Sequence, residues 1–72
     1  YISELYLQGA GLSEFPKNID KLIFLKKLNL SDNLINFIPD LSKLTELKEL
    51  YLSNNNISTL HGSNIDKLKL KI

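Results

Sequence analysis

The feature that most restricts this 72-residue chain is one spacing of apolar residues that returns three times. From Leu25 to Pro39 the chain runs L-K-K-L-N-L-S-D-N-L-I-N-F-I-P. Apolar side chains fall at Leu25, Leu28, Leu30, Ile35 and Ile38, with Asn33 among them. The template recurs at Leu47, Leu50, Leu52, Asn55, Ile57 and Leu60, and earlier at Ile2, Leu5, Leu7, Ala10, Leu12 and Phe15. The copies begin at residues 2, 25 and 47, so the steps are 23 and 22 residues. One unit of this size cannot enclose its own apolar side chains. Neighbouring units must stack, each covering the apolar face of the next.

The spacing inside a unit has a local reading. Leu28 and Leu30 alternate with Asn29, a period of two that predicts a short strand with one buried face. The chain then turns at Asn33. A short amide side chain there bonds backbone groups that the turn leaves unpaired, and stacking aligns Asn33 with Asn55 as an asparagine ladder. Ile35 and Ile38 return to the core. In the first unit Ala10 holds the ladder position and supplies no amide. Gly9 and Gly11 beside it permit unusual backbone angles, so that turn is expected to be built differently.

A pattern L-x-x-L-x-L-x-x-N-x-L repeating at about 20–29 residues resembles the leucine-rich-repeat superfamily, over essentially the whole chain. The 23-residue, proline-bearing first unit resembles the intracellular, plant and bacterial types. The 22-residue second unit resembles the internalin and phosphatase-regulatory types. The resemblance implies an α/β fold: a right-handed solenoid with a parallel sheet on its concave face and short helical or 3₁₀ turns on its convex face. It also implies a non-enzymatic module that holds a protein partner on the concave face. Two other classes are compatible with it: the recognition arm of a larger ligase, kinase or cyclase, and a sensor of a non-protein ligand.

The outer arcs follow the proline positions. After Phe15-Pro16, Ile19 and Leu22 are spaced i, i+3, which predicts one short turn facing the core. Ile38-Pro39-Asp40 repeats the device, followed by Leu41 and Leu44, with the Asp40 carboxylate placed to cap the turn. The third unit has His61-Gly62 in place of the proline. There Asn64–Leu68 copies Asn18–Leu22 letter for letter, one residue later than expected, so an insertion lies near Gly62. A partial fourth unit begins near residue 67, with Leu70 and Ile72 as its expected inward pair. The whole of 1–72 reads as a single segment of a longer solenoid. It has no polar cap at either end, and its partners include neighbouring repeats. At this length folding buries only roughly 60–65% of the unfolded surface. Alone, the segment is expected to fold weakly or in a concentration-dependent way.

Composition narrows the chemistry. The chain has no cysteine, which excludes disulfides and thiolate metal sites and, within this superfamily, leans toward a cytoplasmic location. Nine lysines and no arginine oppose eight acids, for a net charge of +1. That balance gives no field for steering nucleic acid, and the usual reader of guanine and phosphate is missing. The single histidine, His61, sits on a loop edge without a nucleophile or carboxylate beside it in sequence. Gly9 and Gly11 lack the remainder of any phosphate-binding motif. The triplets Asn29-Leu30-Ser31 and Asn56-Ile57-Ser58 match the glycosylation pattern, which arises readily in an Asn-rich chain. No catalytic, cofactor or metal site is expected, and no membrane span.

What remains is the outward face of the strands. Its side chains form columns across the repeats: Glu4, Lys27 and Glu49; Tyr6, Asn29 and Tyr51; Gln8, Ser31 and Ser53; then Gly9, Asp32 and Asn54. Two tyrosines flanked by alternating charge suit a recognition face, since exposed aromatics are favoured contact anchors. Tyrosine also suits strands on propensity alone.

Overall fold

In a computed structural model the chain is described over residues 1–57. Leu60, His61, the insertion near Gly62, the copied Asn64–Leu68 and the fourth strand lie outside the described residues.

Three short strands form, one for each copy of the template: β1 (Glu4–Tyr6), β2 (Lys27–Asn29) and β3 (Glu49–Tyr51). They make one parallel sheet in the order β1-β2-β3. The register aligns Leu5, Leu28 and Leu50, so equivalent residues of successive copies lie side by side. The pairing begins in the same way at both junctions. Ser3 carbonyl accepts from the amides of Lys26 and Lys27 at 2.7 and 3.1 Å. Lys26 carbonyl accepts from those of Lys48 and Glu49 at 2.9 and 3.1 Å. It also runs past the strands. Leu7 and Gly9 amides donate to Asn29 and Ser31 carbonyls, and Leu30 and Asp32 amides donate to Tyr51 and Ser53 carbonyls.

The sheet's inner face meets the side chains that return from the arcs. Leu25, Leu28, Leu30, Ile35, Leu41, Leu44 and Leu50 are fully buried, and Phe15, Ile19, Ile38, Leu47 and Leu52 join them in one cluster. Each buried leucine contributes roughly 1.5–3 kcal/mol of transfer free energy. The second copy is covered on both sides. The first has a neighbour only at β2, so Leu5, Leu7 and Leu12 are half-buried and Ile2 is 44% exposed, against 0% for its counterpart Leu25.

Three residues past each strand the backbone takes a positive φ: Gly9 at 67°, Asp32 at 60° and Asn54 at 58°. Gly, Asp and Asn are the residue types that tolerate the left-handed region, and they occupy one column of the repeat. The first turn differs at the next-but-one residue. Gly11 has φ 72°, whereas Leu34 and Asn56, its counterparts, are not in that region. A side chain at position 11 would be strained there.

The ladder asparagines tie each turn to the one before it. Asn33 is 4% exposed. Its Oδ1 accepts from the amides of Ala10 and Leu12, both at 3.0 Å. Its Nδ2 donates to the carbonyls of Leu7, Leu30 and Ser31 at 2.9–3.2 Å. Asn55 repeats the arrangement one copy later, accepting from Ile35 amide at 2.9 Å and donating to the carbonyls of Leu30, Leu52 and Ser53. Ala10 therefore receives a rung without supplying one.

The arcs are not alike. The first contains a 3₁₀ turn, Ile19–Lys21, with the Lys21 amide bonded to Asn18 carbonyl and the Leu22 amide to Ile19 carbonyl. In the second, Leu44 amide bonds Leu41 carbonyl and Leu47 amide bonds Leu44 carbonyl. These bonds are not consecutive, so no helix forms. The second arc is one residue shorter, and the Asp40 carboxylate takes the Ser42 amide at 2.9 Å, the cap expected from the sequence. No α-helix occurs among the described residues, and none of their helices is long and apolar enough to cross a membrane.

Removing a ladder amide strands backbone groups in two repeats at once. Asn33→Ala is expected to cost about 1–3 kcal/mol in chemical unfolding, and to speed hydrogen exchange at the Ala10 and Leu12 amides. Asn55→Ala should instead expose the Ile35 amide. Unchanged exchange at these positions would show that the amides are held by something other than the ladder.

Candidate interaction face

The outward side chains of β1, β2 and β3 fall into the columns expected from the template spacing. Glu4, Lys27 and Glu49 are aligned across the sheet, as are Tyr6, Asn29 and Tyr51. Inward leucines leave these positions no choice of side, because strand side chains alternate.

The first column alternates in sign: acid, lysine, acid. Lys27 Nζ lies 3.8 Å from Glu49 Oε2, with both side chains about a third exposed. Such a pair adds little stability in water. Its consequence is electrostatic: Glu49 first, with Tyr6 and Glu4 adding, holds the Lys27 ammonium above the usual lysine value.

Each tyrosine is anchored to the carboxylate two residues earlier on its own strand. Tyr6 hydroxyl donates to Glu4 Oε1 at 2.7 Å, and Tyr51 hydroxyl donates to Glu49 Oε1. The two residues point to the same side because they are two apart on a strand. The hydrogen bond to the carboxylate favours the neutral phenol, so both hydroxyls titrate above their ordinary value of 10.0. Partial burial and the carboxylate's charge add to this, and Lys27 opposes it. The tyrosine–glutamate pairing two residues apart is legible in E-L-Y at residues 4–6 and again at 49–51. Column reasoning alone passes over it, since it treats the two columns separately.

The polar columns are more inward-looking. Asn29 Oδ1 accepts from the Ser31 amide, two residues further along the chain, at 3.1 Å. Asn54 Nδ2 donates to Asp32 Oδ1 at 2.7 Å, linking the turns that follow β2 and β3. Gln8 and Ser53 are exposed, and Ser31 is half-buried. Among the described residues no group of acids and imidazoles is placed to hold a metal ion. The face thus offers two fixed aromatic rings, a charge triplet and neutral hydrogen-bonding groups.

A family model described as Leucine Rich repeats (2 copies) matches residues 23–69, more than half of the chain. No curated protein and no solved structure matches the chain.

Spectrophotometric titration of the tyrosines checks the anchoring. Tyr6 and Tyr51 should ionise above the ordinary phenol range. Glu49→Gln removes the acceptor charge and should bring Tyr51 back toward that range, leaving Tyr6 displaced. A Tyr51 transition that ignores Glu49→Gln would mean that the hydrogen bond does not persist in solution.

Proposed function

The chain belongs to the leucine-rich-repeat family, whose repeats typically mediate protein–protein interaction and are typically not enzymes, and on that premise we propose that this segment holds a protein partner on the open face of its sheet. In this reading the repeats wind as a right-handed solenoid, the hand that parallel strands with crossover connections adopt almost without exception. The sheet face is then the concave one. The partner-binding set is Glu4, Tyr6, Gln8, Lys27, Asn29, Ser31, Asp32, Glu49, Tyr51 and Ser53.

The observation that carries the reading is the fixed tyrosine pair. Tyr6 is 49% exposed and Tyr51 shares its column, with Asn29 between them. Parallel strands lie about 4.7–4.9 Å apart, so the two rings stand roughly 10 Å from each other. A strand or loop of a partner spans that distance. Because the hydroxyls are already held by Glu4 and Glu49, less rotamer freedom is lost when a partner covers the rings. The alternating charges of Glu4, Lys27 and Glu49 then select register more than they add affinity.

Placing a photo-crosslinking residue at position 51, and separately at position 43, in the full-length protein separates the two faces. Capture from position 51 of a protein that position 43 does not capture supports the reading. In titration against the captured protein, Tyr51→Ala should weaken binding by about 1–3 kcal/mol with folding little changed, and Lys43→Ala should have no effect. If binding survives combined replacement of Tyr6, Lys27 and Tyr51, the sheet face is not where the partner sits.

A further inference from the structure

A second surface lies away from the sheet, where the two arcs meet. A cleft of about 370 Å³ opens between the first arc and the second. That volume is within the range of pockets that take small ligands or single side chains with their neighbours. Its walls are apolar, from Phe15, Pro16, Phe37 and Pro39, and Glu14, Asp20 and Asp40 contribute carboxylates. No lysine lines it.

Phe37 is the informative residue. It is 69% exposed, yet the core does not require it. The equivalent position is Glu14 in the first copy and Thr59 in the third, so the repeat template accepts polar residues there. A large aromatic side chain has been placed in water beside an acidic rim. Of the three carboxylates, Asp20 makes a loose, exposed pair with Lys43 at 3.7 Å, and Asp40 accepts the Ser42 amide. Glu14 makes no hydrogen bond or ion pair among the described residues.

We propose that this cleft is a docking site for a basic peptide segment of a protein partner, with one arginine or lysine side chain entering between the arcs. Charge complementarity selects this occupant. A cationic head meets Glu14, Asp20 and Asp40, while its aliphatic stem and the adjoining apolar residue lie on Phe37 and the proline rings. Phe37 also offers a ring face to the cation. Anionic occupants, including phosphate groups, meet three acidic residues, with Lys43 already paired to Asp20. The site shares no residue with the sheet face and stands or falls independently of it.

The test uses the whole 72-residue chain, ¹⁵N-labelled, at a concentration where its amide spectrum is dispersed. It is titrated with acetyl-Leu-Arg-Leu-amide and, separately, with acetyl-Leu-Glu-Leu-amide. The arginine peptide alone should shift amides in residues 14–20 and 37–41, less so as salt is raised. Glu14→Gln combined with Asp40→Asn should weaken the binding roughly tenfold. Asn at position 40 keeps an oxygen for the Ser42 amide, so the arc is retained. Phe37→Ala should weaken it with dispersion intact, because the ring is mostly in water. Shifts with both peptides, shifts on β1–β3 instead, affinity indifferent to these replacements, or no shifts at all would each overturn the assignment.

Discussion

The structure depends on the Asn33 amide more than on any other polar group. Backbone at a sharp turn carries donors and acceptors that the strand ladder no longer reaches, and left buried they would cost about 1–3 kcal/mol each. Asn33 satisfies them in two repeats at once, accepting from Ala10 and Leu12 and donating to Leu7, Leu30 and Ser31. Because its partners belong to successive copies, the bond sets the stacking as well as the turn. The parallel register then has one solution: Leu5, Leu28 and Leu50 side by side, with the arcs folded over them.

That register decides what the surface can be. With leucines committed to the core, the side chains between them must face outward in columns. Glu4, Lys27 and Glu49 become neighbours although they are more than twenty residues apart in sequence. The same stacking places two unequal arcs together, with a cleft between them beside Phe37. Sheet face and cleft are thus two products of one packing rule, on different sides of the core.

The two surfaces differ in how they are held. On the sheet, each tyrosine is tied to a glutamate of its own strand, and Lys27 is placed between acids, so most polar groups already have partners. Such a face is preorganised, and in the proposed role it discriminates by shape and register. The cleft presents a mostly exposed ring and a Glu14 carboxylate without a hydrogen bond or ion pair among the described residues. In the proposed docking role its selectivity is for charge sign.

The sequence by itself determined the repeat length, the inward leucines, the asparagine rungs, the missing rung at Ala10 and the membership of each surface column. All of these follow from periodicity, because a strand alternates its side chains and a stacked unit must bury one face. The Asp40 cap was also legible, as a short carboxylate two residues before an amide that needs an acceptor. Only the tertiary structure decided the rest. The left-handed turns at Asp32 and Asn54 depend on how the ladder draws the chain back. That Ile19–Lys21 closes a 3₁₀ turn while the second arc does not depends on which amides the arcs and side chains take first. The exposure of Ile2 follows from what covers it, a neighbour relation that local spacing does not encode. The cleft lies between two arcs that only stacking brings together, and no property of either arc alone predicts the space between them.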